Sequence, residues 1–263
     1  GTHRWQRDGS AMNLLRSEWR KVVTIRMWIG LAAAAVGFTV LNAGVLIALS
    51  GVELEGTPVP ELNDPEGLRT VYGSAASSAA FVLVLGIVSM TSEYRHQTIT
   101  ATLLATPRRG AVVTAKMLAA AVFSAFIGVA CVLVTLAAVG IGVAAKDIGP
   151  IDAGDFAAIA GGVVLGFAVY GVLGVGFGSL VRNQIAAITA ALLWVLLVES
   201  LIVAFWPSVG KWLPGGALNG VLQLEAPSGA GYLPVAAAAA LLVAYAAAFA
   251  GIAVRTTLRR DIT

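Results

Sequence analysis

Six long apolar runs limit what this chain can become. Met27–Ser50, Val71–Thr91, Met117–Ala144, Phe156–Val181, Ile185–Trp206 and Leu233–Val254 each cover the roughly 20 residues that a helix needs to cross a bilayer. Backbone that leaves water must satisfy its own hydrogen bonds, and in lipid only helices and closed barrels do so. Barrel strands need only about ten residues, so runs of this length are helices. Composition agrees: 58% of the 263 residues are hydrophobic and 12% charged, against roughly 25% charged in soluble domains. The expectation is an all-α membrane protein with six transmembrane helices.

The linkers between the runs alternate in sign. Arg16, Arg20, Lys21, Arg26, Arg95, Arg108, Arg109, Lys116, Arg182, Arg255, Arg259 and Arg260 fall on one side. The other side holds Glu53, Glu55, Glu61, Asp64, Glu66, Asp147, Asp152, Asp155 and Glu225, with only Arg69, Lys146 and Lys211 as cations. Twelve cations against three orient such a chain with its basic side in the cytoplasm. The prediction is a multi-pass protein of the cell membrane with both termini cytoplasmic, surrounded by lipid and without a nucleic-acid partner.

Several features elaborate this plan. Residues 1–11 read as an expression remnant, leaving 12–263 as a single six-helix membrane domain. From Asn13 to Arg26, Leu15, Trp19, Val22 and Val23 share one helical face and Arg16, Arg20 and Lys21 take the other. This pattern predicts an N-terminal amphipathic helix at the membrane surface. Between the last two runs, Pro214-Gly215-Gly216 opens a short apolar stretch. It is expected to form a short re-entrant or interfacial segment, with Trp206, Trp212 and Tyr232 in the aromatic belt. The fourth run carries the small-xxx-small pairs Gly162/Gly166 and Gly174/Gly178, expected to bring helices together within one subunit. Cys131 stands alone in an apolar run and reads as a packing residue.

One polar insertion on the basic side carries a functional hint. In Ser92-Glu93-Tyr94-Arg95-His96-Gln97-Thr98-Ile99, the residues Glu93, His96, Gln97 and Thr100 recur at helical spacing, and Ile99 and Leu103 take another face. Thr106-Pro107 ends the helix, and Arg108 and Arg109 follow. Glu93-Tyr94-Arg95, Thr98-Ile99, Leu104-Ala105-Thr106-Pro107-Arg108-Arg109 and Lys116 resemble the first cytoplasmic loop of ABC type-2 transporter permeases. The resemblance is strongest over roughly residues 85–120, and the layout extends it over 12–263. It implies that Glu93, Tyr94, Arg95, His96, Gln97, Thr98, Arg108 and Arg109 contact a separate ATP-binding-cassette ATPase subunit. It further implies a second permease chain, as in a homodimer, and export of a small amphipathic compound, lipid or peptide, as in drug efflux. ATP and magnesium would then belong to the partner, with no cofactor in this chain.

The remaining chemistry is sparse. No G-x-x-x-x-G-K-[ST] phosphate loop occurs. Gly176-Phe177-Gly178-Ser179 resembles an intramembrane serine-protease motif, but a serine nucleophile needs a nearby base, and the two histidines are His3 and His96. One cysteine and two distant histidines make no zinc site. No catalytic or metal-ligating set is expected, so the chain is not an enzyme by itself. A membrane enzyme or its assembly scaffold is one alternative, and a half-size secondary transporter driven by an ion gradient is the other. It would want ionisable relay residues in several runs, whereas Glu199 stands out alone.

The resemblance also implies that the second and fifth spans line the substrate path. The residues lend partial support. Ser74, Ser77, Ser78 and Phe81 fall on one face of an α-helix, and Glu199 lies in the outer third of the fifth run. Several roles fit Glu199: attracting a cationic substrate, reaching the headgroups, or bonding to Ser200.

Overall fold

The computed structural model describes residues 26–54, 57–58, 61–95, 109–146, 153–181, 183–224 and 231–259. The expected surface helix at 13–25 and the segment His96–Arg108 lie outside the described residues. Within them the fold is helical, apart from a minimal antiparallel pairing of β1 (Glu53–Leu54) with β2 (Thr57–Pro58). Six helical segments are long and apolar enough to cross a membrane. This is a multi-pass membrane architecture.

The first span is α1 (Arg26–Leu49). The second is composite: α2 (Pro65–Gly73), a 3-10 stretch at Ser74–Ser78, then α3 (Ala79–Arg95). The third is the 38-residue α4 (Arg109–Lys146), about 57 Å long at 1.5 Å per residue. That is nearly twice a hydrocarbon core of roughly 30 Å. The fourth is α5 (Ala153–Leu180). The fifth is also composite: α6 (Gln184–Leu193), a π-helical stretch at Trp194–Val198, and α7 (Glu199–Phe205). Two short helices follow, α8 (Pro207–Gly210) and α9 (Pro214–Val221), before the sixth span α10 (Val235–Arg259).

Local chemistry explains several boundaries. Asn183 caps α6, its side chain accepting from the N–H groups of Ile185 and Ala186 at 3.0 and 3.2 Å, as an N-cap asparagine does. Pro65, Pro207 and Pro214 occupy first-turn positions, where a missing N–H costs nothing. The second span starts earlier than hydropathy suggests, because α2 carries Glu66 and Arg69 through its first turns. Arg69 is held there by Asp155 of α5, with Nη2 2.7 Å and Nε 3.1 Å from Oδ2.

Helix α5 occupies the centre of the bundle and packs on α3, α4 and α10. Its glycines set the distances. A Cβ built on Gly174 would lie 2.9 Å from the Cα of Gly86 and 3.0 Å from the nitrogen of Ile87. The second and fourth spans therefore touch backbone to backbone, which only glycine allows. Gly178 continues the seam against Ile87 and Met90. Gly162 and Gly166 receive Val221 and Leu218 of α9 instead, with 2.8 Å left to Val221 Cγ1. Both small-xxx-small pairs are thus used inside the subunit.

The bundle also sorts its charges. At one end, Leu62 takes a bond from its N–H to Ser50 Oγ at 3.0 Å, Arg69 meets Asp155, and Leu224 rests on Gly73. Glu61, Asp64 and Glu66 are exposed there. At the opposite end Gly110 lies beside Val254, next to Arg109, Lys116 and Arg255. Apolar side chains on the flanks point outward, among them Ile185 at 77% and Phe205 at 71% exposure. That is the expected surface for a chain in lipid, where burial of apolar groups is not what drives helices together.

Candidate functional site

Span five turns polar at one point. The π stretch Trp194–Val198 hands over directly to Glu199. Such widened turns inside α-helices are frequent at functional sites. Glu199 is only 4% exposed. Its Oε1 accepts a 2.5 Å hydrogen bond from the backbone N–H of Gly215, the second residue of α9. The N-cap residue of α9, Leu213, has no side chain to offer, and a helix start presents free N–H groups and a positive dipole end. The carboxylate supplies the missing acceptor from another helix. A Cβ on Gly215 would sit 2.9 Å from that same Oε1, so a larger residue there would make the carboxylate shift. The second oxygen, Oε2, is buried with no hydrogen-bond partner.

Glu199 lines a pocket of about 560 Å³ together with Ser200, Val195, Tyr170, Asn219 and Tyr232. Tyr170 comes from α5, and Asn219 of α9 donates from Nδ2 to the Tyr232 hydroxyl at 3.2 Å. A second pocket of about 460 Å³ adjoins it, sharing Tyr170, Val195, Gly215 and Asn219. Its far wall is formed by Phe38, Asn42 and Leu46 of α1 with Ser74, Ser77 and Ala80 of the second span. The two hollows form one cleft between spans one, two and five, floored by α5 and α9.

No protein-family model and no curated protein matches this chain.

The four residues placed together on span two are not together in space. A 3-10 stretch turns three residues per revolution, so Ser74 and Ser77 stack on one line and Ser78 swings away. Ser74 and Ser77 line the cleft, and the Ser77 hydroxyl bonds to the Ser74 carbonyl at 2.6 Å. Ser78 is fully buried against α1, 2.7 Å from Thr39 Oγ1 and donating to the Ala35 carbonyl at 3.0 Å. Phe81 packs against Phe38 with ring centroids 5.8 Å apart. Ser74, Ser77 and Glu199 therefore face one cleft, while Ser78 fastens span two to span one.

Of the residues expected to meet an ATPase, Glu93, Tyr94 and Arg95 end α3 and Arg109 opens α4. His96, Gln97, Thr98 and Arg108 lie outside the described residues. Among the described residues, no group of His, Cys, Asp or Glu is arranged to hold a metal ion. Ser179 is fully buried and donates to the Gly176 carbonyl at 2.6 Å, an ordinary helix-backbone bond.

Sequence reasoning missed Tyr170, Asn219 and the Gly215 N–H. A lone tyrosine in a glycine-rich span and a lone asparagine after Pro-Gly-Gly were the available signals. Nothing in side-chain spacing pointed to a backbone donor.

Proposed function

We propose that this chain is the membrane permease of an ATP-binding-cassette exporter, working as a pair of chains with two copies of a separate ATPase below. Export of a small amphipathic compound, a lipid or a peptide suits its short outer loops. The observation that carries the reading is the cleft. The two spans expected to line the path, the second and the fifth, face one lateral hollow through Ser74, Ser77 and Glu199. The segment resembling a coupling helix joins α3 to α4 at the other, basic end of the bundle.

In this reading the basic end is cytoplasmic. ATP-driven closure of the ATPase pair pushes on the Glu93–Pro107 segment and on the N-terminal surface helix. Segment α8–α9 serves as a re-entrant floor at the outer side, with Trp206 and Trp212 exposed at its edge.

The test is assembly. Tagged chain, co-expressed with any phosphate-loop ATPase that its neighbouring reading frames encode, should retain that ATPase through purification. ATP hydrolysis should then require both proteins and respond to amphipathic compounds. Hydrolysis by the purified chain alone, or failure of any such ATPase to associate, overturns the proposal.

A further inference from the structure

We infer that the cleft selects a single-chain cationic amphipath, with its ammonium group held at Glu199 and its tail lying toward Ser77. The inference rests on the reading of this cleft as the substrate path and names the chemistry that the path accepts.

The charge argument comes first. A carboxylate can take several donors, and Glu199 is met by backbone N–H groups at the start of α9, Gly215 at 2.5 Å and Gly216 beside it. Oε2 is sealed from water and unpartnered, which is costly for a buried oxygen. No basic side chain pairs with Glu199 among the described residues; the Arg69–Asp155 ion pair joins other elements. The site therefore holds an acceptor without a countercharge. The terminal torsion of a glutamate is soft, and Glu199 lines the pocket, so its carboxyl can turn to meet a donor that enters there.

The shape argument agrees. The phenol rings of Tyr170 and Tyr232 line the same hollow as the carboxylate. Aromatic faces beside a carboxylate suit alkylammonium groups, which bind by attraction to the ring as well as to the charge. The adjoining hollow continues past Asn219 to the apolar Leu46, Ala80, Leu196 and Leu224. A head in the first hollow thus leads its tail into the second.

The experiment uses the purified full chain in dodecyl maltoside, a detergent without an ammonium group. Tritiated decyltrimethylammonium is measured by equilibrium dialysis, with empty micelles subtracted. Its uncharged isostere, carbon in place of nitrogen, is the comparison. The cation should bind saturably and the isostere at least about tenfold more weakly, as expected for loss of a desolvated charge contact. Glu199→Gln keeps an acceptor for Gly215 and should weaken the cation by a similar factor while leaving the isostere unchanged. Ser77→Trp, at an exposed position, should block the tail and weaken both. Added lysophosphatidylethanolamine, but not lysophosphatidylglycerol, displaces the probe if the natural ammonium is a single-chain lipid headgroup; displacement by neither marks a free amphipath. Equal binding of cation and isostere, no saturable binding, or unchanged binding in Glu199→Gln overturns the inference, and the first two outcomes need no variant. Because no ATPase takes part, saturable cation binding without a copurifying ATPase would sink the exporter assignment alone.

Discussion

Glu199 and Gly215 are joined by a hydrogen bond of 2.5 Å that ties the fifth span to the start of α9. The bond crosses from one helix to the next and does the work of an N-cap. Removing its acceptor leaves a part-buried N–H without that partner, at a cost of about 0.5–1.5 kcal/mol, the net worth of a typical hydrogen bond.

Glu199→Ala should therefore lower thermal stability measurably, and Glu199→Gln should lower it much less. The lone cysteine gives the readout: Cys131 is fully buried, so a thiol-reactive dye reports unfolding. Equal melting temperatures for the alanine and glutamine variants would show that the oxygen at this position does not hold α9.

The seam between spans two and four predicts a contrast between two glycines of one helix. At Gly174 an added methyl meets backbone atoms of α3, which cannot rotate away. Gly174→Ala should cost about 1–3 kcal/mol or more, the usual range for overpacking. At Gly161 a Cβ meets nothing within 4 Å, and Gly161→Ala should be neutral or stabilising by about 0.5–1 kcal/mol. The same dye assay compares them, and a Gly174→Ala chain as stable as Gly161→Ala would contradict the packing.

Charge sorting predicts sidedness. In a Cys131→Ala background, Glu61→Cys should react with a membrane-impermeant maleimide on intact cells. Arg255→Cys should react only after permeabilisation. Both positions are exposed, so accessibility is not limiting. The reverse pattern would invert the proposed orientation and move the ATPase contact to the other end.

Glu93→Ala tests the proposed coupling segment. Loss of one partner of a desolvated interfacial charge pair costs about 2–5 kcal/mol. The variant should insert normally yet hold its ATPase more weakly, or hydrolyse ATP without transport. Normal assembly with normal coupled transport would remove Glu93 from the contact.

The six spans were legible because lipid leaves a chain few choices, and length with hydropathy suffices to see them. The start of span two was hidden. Glu66 and Arg69 read as loop residues until Asp155, 86 positions from Arg69, gives the arginine a partner. Helical periodicity assumes 3.6 residues per turn, so it could not see the 3-10 stretch that separates Ser78 from Ser74 and Ser77. Glu199 was legible as the acid in an apolar run, but its partner was not. A backbone N–H has no signature in the sequence, and Gly215 is brought to it only by the turn through α8. The glycines of α5 announced close packing; which neighbour each would meet depended on the three-dimensional path of α9.

The backbone contact at Gly86 and Gly174 also divides the molecule mechanically. Carbonyls and Cα atoms that touch directly cannot slide past one another without parting, so spans two and four form one stiff plate. Span five is built differently: it is largely unburied within the chain, contains a π turn, and meets the start of α9 through the Glu199 carboxylate. The Ser77 wall of the cleft thus stands on the stiff pair of spans, and the Glu199 wall on a span that the chain itself covers little.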